Sequence, residues 1–264
     1  VFRLLDFLYP PILELPLAII LLLLIITIPL IAIYLFLRLT EAAFEQIGFD
    51  HRHAILAVFG SFIGSLINIP LYMGTISSYP GWYITLVSTF APGVPTTFYP
   101  FYLAINMGGA IVPLIISAHL ILTRRVSAPR AGVGILVVAL ITYILAQPVA
   151  GEGIVLPFWA SPILAVICGL VLSQGYCGAP SLAYISGSIG TLLGADIMNI
   201  LTPGVLPALS PVGLQTSMPL VLSIGGAGVF DGIFLTGILA VLFATGIVRF
   251  FHGSCEGVKM HRNT

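Results

Sequence analysis

Charge is what this chain most lacks. Asp, Glu, Lys and Arg make up 7% of its 264 residues, against about 25% in a soluble domain, which excludes an ordinary soluble fold. Nine acidic and nine basic residues cancel to a formal net charge of zero, and no nucleic-acid partner is expected. Cysteine is scarce as well, with three residues in all. Cys168 lies in an apolar run, and Cys177 and Cys255 lie in short connections. Their spacing fits neither a disulfide framework nor a zinc or redox motif, and on a cytoplasmic face the thiols are expected to stay reduced. No nucleotide-binding loop is present, because Gly187-Ser188-Ile189-Gly190 lacks both the lysine and the strand context. No Ser/His arrangement occurs, and His51, His53, His119, His252 and His261 all fall toward the expected cytoplasmic side. Neither a cofactor nor a metal is expected.

What is abundant is hydrocarbon. Hydrophobic residues make up 59% of the chain and the mean hydropathy is +1.15. Several apolar runs approach or exceed the roughly 20 residues that a helix needs to cross a bilayer. The period-two alternation of a membrane barrel is missing. The fold class is therefore all-α: a polytopic membrane helix bundle forming a single transmembrane domain over residues 1–264. About seven transmembrane helices with Gly/Pro-broken segments are expected, near residues 15–37, 54–73, 101–122, 132–146, 154–172, 179–201 and 229–248. Residues 39–53 read as a short surface helix ending at Gly48. Residues 74–100, with Tyr79, Trp82, Tyr83 and Tyr99, suit an interfacial aromatic belt, and their middle is too short to cross. Residues 219–224 read as a half-helix or re-entrant piece before a glycine break at 225–228.

The basic residues orient this topology. With seven spans, Arg38, Arg52, Arg124, Arg125, Arg130, Arg249, Lys259 and Arg262 share one side and only Arg3 takes the other. Positive charge accumulates on the cytoplasmic side, so the N-terminus is expected outside and the C-terminus inside.

The same topology brings intramembrane polar residues to one depth, in the outer third of the bilayer. Asn68 ends the second span and Asn106 starts the third. Asp196 and Asn199 end the sixth, and Asp231 starts the seventh. Carboxylates in hydrocarbon are costly and mark functional sites by default, although either aspartate can instead cap a broken helix. If they meet, Asp196 and Asp231 would hold one proton between them and serve as catalytic acid and base. Asn68, Asn106, Asn199, Gly225, Gly226 and Gly228 are the candidate substrate- or ion-binding residues. The asparagines can equally be interhelical glue. Gly60 to Leu66 and Gly187 to Leu192 resemble each other, as do Gly108 to Val112 and Gly225 to Val229, which hints at an internal repeat.

Four segments together carry a family resemblance: L-I-N-I-P-L-Y, I-N-M-G-G-A-I-V-P, G-T-L-L-G-A-D-I-M-N and S-I-G-G-A-G-V-F-D-G-I-F-L-T-G-I. They resemble a prokaryotic membrane family filed as domain of unknown function 1614, over nearly the whole chain. The resemblance implies a multi-pass inner-membrane protein and no particular activity. A second similarity is to the intramembrane aspartyl proteases of the presenilin and prepilin-peptidase kind. There Asp196 matches the aspartate of one helix, and Gly226-Ala227-Gly228 with Asp231 approximates the G-x-G-D that opens the next. Val229 and Phe230 intervene here, and Pro207-Ala208-Leu209 lies between the aspartates rather than after them. In presenilins the pair lies on the cytoplasmic side, opposite to the side expected here.

Three functional classes follow. The leading one is an aspartate-pair hydrolase acting on a membrane peptide or lipid-linked substrate. A proton- or cation-coupled secondary transporter is the second, and a noncatalytic membrane subunit the third. The lipid bilayer is the one partner common to all. The orientation is directly testable: a C-terminal fusion to green fluorescent protein should fluoresce and a fusion to alkaline phosphatase should be inactive. The opposite pair of results overturns it.

Overall fold

The computed structural model describes residues 11–77, 84–85, 89–90, 98–150, 152–209, 220–226 and 232–252. The chain forms two compact units, Val1–Ala42 and Ala43–Thr264. The helix that carries the first unit, α1 (Pro11–Gln46), is 36 residues long, and residues 19–35 are exposed on every side. Leu, Ile and Tyr exposed all round a helix have no stable home in water; such a surface belongs in hydrocarbon. The expected break after residue 37 does not occur. Thr40 to Gln46 are ordinary helix-compatible residues without Gly or Pro, and charge alone does not end a helix. It ends before Gly48, which takes a left-handed φ of +101°.

The second unit begins with α2 (His51–Gly64), followed by β1 (Asn68–Ser77) and β2 (Phe98–Asn106). A π-helical turn, Met107–Ile111, runs directly into α3 (Val112–Leu122). Then come α4 (Ala128–Leu145) and a short hairpin of β3 (Gln147–Val149) and β4 (Gly153–Val155). Next are α5 (Ala160–Leu172) and α6 (Ala179–Thr191), the latter continued by a π-helical stretch Leu192–Met198 and a last turn Asn199–Leu201. The chain closes with α7 (Val205–Ala208), β5 (Leu220–Ile224) and α8 (Gly232–His252).

Three expected helical stretches are strands instead. The run 54–73 is helical only to Gly64, because Pro70 clashes with a preceding helical turn and holds its neighbour extended. The run 101–122 becomes helical only at Met107; Phe101 to Asn106 are aromatic, β-branched and apolar, a composition that suits a strand as well as a buried helix. Leu220–Ile224, expected as a half-helix or re-entrant piece, is the strand β5. The glycine break after it is real: Gly225 and Gly226 take φ of +91° and +80°, a region that side chains with a Cβ avoid. The expected surface or re-entrant piece around residues 82–90 lies largely outside the described residues.

The strands form one sheet in the order β1-β2-β5. β1 and β2 run antiparallel from Asn68↔Asn106 to Ser77↔Phe98, with a bulge between Pro70 and Tyr72 where proline offers no ladder N–H. β5 lies parallel to β2, from Phe101↔Leu220 to Ile105↔Ile224. β2 and β5 thereby lie side by side, Gly108 and Gly109 following the one and Gly225 and Gly226 the other.

At the centre of the helices stands α6, packed against α4, α5, α8 and α3, with every residue from Ala179 to Ser188 buried. Its neighbours approach through small residues: Ala165, Ala183, Ala240 and Ala244 share one core cluster with Val166. The large side chains face outward instead, as with Leu136, Leu140 and Ile144 of α4, Ile163 and Ile167 of α5, and Phe243 of α8. Small residues inside and large apolar residues outside are the packing expected where the solvent is lipid. Three helices among the described residues, Ile19–Gln46, Ala128–Leu145 and Gly232–His252, are long and apolar enough to cross a membrane.

One cysteine departs from expectation. Cys168 is free and buried, whereas Cys177, expected as a reduced thiol, is disulfide-bonded. Its turn lies against the end of α8, where the Tyr176 and His252 rings stack at 3.4 Å. Segments 76 positions apart in sequence meet there, which residue spacing does not reveal.

Glycine contacts give a stability test. A methyl on Gly108 would lie 2.1 Å from the Ser61 carbonyl oxygen and 2.3 Å from the Ser65 nitrogen, both backbone atoms. Gly108→Ala should therefore destabilise by about 1–3 kcal/mol. Gly60, within α2, has nothing within 4 Å of such a methyl, so Gly60→Ala should be neutral or stabilise by up to ~1 kcal/mol. Thermal unfolding of the purified variants in detergent checks the contrast.

Candidate functional site

Where the sheet meets α2 and α6, polar groups join into a continuous seam. Asn106 is its anchor. It is the last strand residue of β2 and also the N-cap of the following helical segment, extended at φ −80° and ψ 130°. Its Oδ1 accepts the Gly109 N–H at 2.8 Å, and its Nδ2 donates to the Ser65 carbonyl at 2.8 Å and to Asn68 Oδ1 at 3.0 Å. A side chain that is fully buried thus has partners at both ends of its amide, as a polar group removed from water requires. Asn68 Oδ1 accepts a second bond from the Ser223 hydroxyl at 2.7 Å, which ties β1 to β5 across β2.

Two residues beyond Ser223 the seam reaches α6. The Gly225 N–H donates to Asp196 Oδ2 at 2.7 Å. An amide bonded to a carboxylate is a charge-assisted hydrogen bond, stronger than a neutral one. Gly225 can make this approach only without a side chain, since a methyl there would lie 2.7 Å from both the backbone nitrogen and the Cβ of Ala110. Beside the bond, Leu192 packs with Ala110 and Ile233, and Ile105 and Ile224 cover them. Asp196 is therefore half-buried between a polar seam and an apolar patch.

The helix carrying Asp196 is locally widened into the π form over Leu192–Met198, a distortion common at functional sites. Close packing accompanies it. A methyl on Gly194 would lie 2.1 Å from the Ala139 carbonyl oxygen and 2.3 Å from Thr142 Oγ1, so only glycine lets α4 come so near. Asn199 Nδ2 donates to the Gly194 carbonyl at 3.1 Å, serving a backbone acceptor within its own helical run.

Hydrogen bonds thus join Asn106, Asn68 and Ser223, and two residues along the chain from Ser223 a separate bond joins Gly225 to Asp196. Asn199 turns back onto its own segment and does not join them. Gly226 follows Gly225 in the left-handed turn, where its N–H bonds the Ser223 carbonyl at 3.1 Å. Asp231 and Gly228 lie outside the described residues. Sequence reasoning passed over Ser223 and the Ser65 carbonyl. Ser223 had a signal, as a lone hydroxyl in the apolar strand Leu220–Ile224. A backbone acceptor has none. The groups span a gradient of exposure, with Asn68 exposed and Asn106 buried, so the seam opens to the surface at the Asn68 end.

Inward small residues, outward large ones and a buried polar seam define a helical protein of apolar surroundings, compatible with a membrane protein. Residues 62–243 match the family described as protein of unknown function (DUF1614), and the chain belongs to it. No curated protein and no solved structure matches the chain.

The two buried asparagines should differ in weight. Asn106→Ala orphans an N–H and a carbonyl, at about 1–3 kcal/mol per buried group left unpaired. Asn199→Ala orphans one carbonyl at most. The thermal midpoint should fall clearly further for Asn106→Ala, and equal losses would contradict its anchoring role.

Proposed function

We propose that this protein is a membrane-embedded hydrolase in which Asp196 and Asp231 share the acid and base roles. The substrate class is a membrane peptide or a lipid-linked molecule. One observation supports the reading: the π-helical segment that carries Asp196 is held both to the turn after β5 and to the start of α8. Asp196 binds the Gly225 N–H, and Leu192, one turn earlier, packs on Ile233. Asp231 lies in the sequence between these two contacts.

Two carboxyl groups brought together away from water do not both ionise easily, and one proton is retained between them. The ionised member then takes a proton from the attacking water, and the protonated member gives one to the leaving group. Asn68 and Ser223, at the open end of the seam, are placed to hydrogen-bond an arriving polar group. In this reading the chain crosses a prokaryotic inner membrane seven times as one transmembrane domain, with its C-terminus cytoplasmic. The Cys177 disulfide would then face the reducing side and be expected to open in the cell.

A second reading, proton- or cation-coupled transport, draws on a different observation. Strands and π-helical turns surround the polar seam, and irregular backbone at membrane depth is tolerated where it lines a cavity, as in the broken helices of transporters.

The two readings separate experimentally. As a hydrolase, Asp196→Asn and Asp231→Asn should each reduce cleavage of a membrane-peptide or lipid-linked reporter by about 10²–10⁴-fold, with the thermal midpoint measured alongside because Asp196→Asn also weakens the bond to Gly225. As a transporter, the same variants should abolish pH- or sodium-dependent flux in proteoliposomes while no cleavage is seen with the parent protein. Full activity in both variants rejects the aspartate pair altogether.

A further inference from the structure

At the opposite end of the helices from the sheet lies a cleft of about 520 Å³. The α3–α4 turn supplies Arg124, Arg125, Ser127 and Arg130, and the α5–α6 turn supplies Ser173 and Gln174. Among the described residues no carboxylate lines it. We propose that this cleft binds a phosphate-bearing anion, the phosphate of an acidic phospholipid headgroup or a free phosphate.

Four features agree. Three arginines line one open cavity in a chain with only nine basic residues in all. Arginine's planar fork matches phosphate oxygens in pairs. Among the described residues neither Arg124 nor Arg130 has an ion-pair partner, while Arg125 donates to the Gly48 carbonyl at 2.9 Å. The carboxylates near this end are engaged by histidines. Glu45 lies 3.2 Å from His51, and Asp50 contacts His53, which holds its carboxyl below the usual carboxylate range.

Third, Arg124 stands where glycine is usual. It follows the C-cap of α3 with a left-handed φ of 56°, and Arg125 N–H closes the turn on the Leu120 carbonyl. Glycine is the economical residue for that position, so an arginine there is retained for its side chain. Fourth, α4 and α6 both begin at the cleft, from N-caps Ser127 and Gly178, with no acidic residue in either first turn and no side-chain cap. Each carries a proline, which has no N–H, in its first turn, and the Ala179 N–H is bonded to the Tyr176 carbonyl, so it is the helix dipoles that favour an anion here. Basic pockets between transmembrane helices at a membrane face are suited to lipid phosphates.

The test uses the full chain purified in detergent, with thermal unfolding as the readout. Phosphatidylglycerol, phosphatidylcholine and sodium phosphate are titrated separately, the last against chloride of equal ionic strength. Phosphatidylglycerol should raise the midpoint and phosphatidylcholine should not. In Arg124→Gln/Arg130→Gln the apparent affinity should fall about thirtyfold, a factor of about five for each charge. In Arg52→Gln/Arg249→Gln, which removes equal charge outside the cleft, it should not change. A shift with sodium phosphate assigns the free anion as sufficient; a shift with phosphatidylglycerol alone assigns the lipid headgroup. Equal shifts with both lipids and none with phosphate overturn the site, as do equal losses in the two double variants. Should the cleft double variant fail to fold, Arg130→Gln alone should still weaken binding about fivefold, and an unchanged affinity there overturns the site.

Discussion

Close approach of backbones at α6 is the constraint on which the second unit depends. Hydrocarbon gives apolar side chains little reason to leave it, so helices there associate through tight packing and hydrogen bonds rather than through burial of large residues. Gly169, Gly187, Gly190 and Gly194 all sit where an added methyl would come within 3 Å of a neighbouring atom. Those contacts let α4, α5 and α8 surround one helix completely. The tightest of them, Gly194 against the Ala139 carbonyl, lies within the π-helical stretch that presents Asp196.

A second constraint is the need to satisfy backbone groups wherever a helix stops within the apolar region. Here the chain does so by pairing three strands and by turning Asn106 into a junction between a strand, a helix N-terminus and the end of α2. The carboxylate of Asp196 extends that solution by receiving the Gly225 amide. One seam therefore both holds the broken segments together and concentrates hydrogen-bonding side chains at that end of the helices. The proposed catalytic reading and the structural role of the seam rest on the same bonds, and for that reason activity and stability must be measured separately.

The two ends of the second unit differ in character. The sheet end is nearly uncharged and carries the seam. The other end carries the arginines, two uncapped helix starts and the cleft between them. A polar seam at one end and an arginine-lined cleft at the other give the unit two chemically distinct ends.

Much of this was readable beforehand. Absent charge and long apolar runs identified the membrane class, because no soluble chain can solvate such a composition. The proximity of Asn68 and Asn106 followed from alternating spans, and so did their nearness to the segment that carries Asp196. Strands were not readable: Phe101–Asn106 and Leu220–Ile224 are apolar runs whose periodicity is the same for a buried strand and a buried helix. Ser223 stood out as a lone hydroxyl in an apolar run, but nothing local to it names its partner, and depth alone does not say that the Asn199 amide turns back onto Gly194. What the amino-acid sequence determined by itself is where polar groups sit along the chain and which solvent surrounds it, since both follow from residue type. Only the tertiary structure decided which of those groups touch. Hydrogen bonds such as Asn68–Ser223 and Asp196–Gly225 join residues 155 and 29 positions apart, and nothing local to either partner specifies the other.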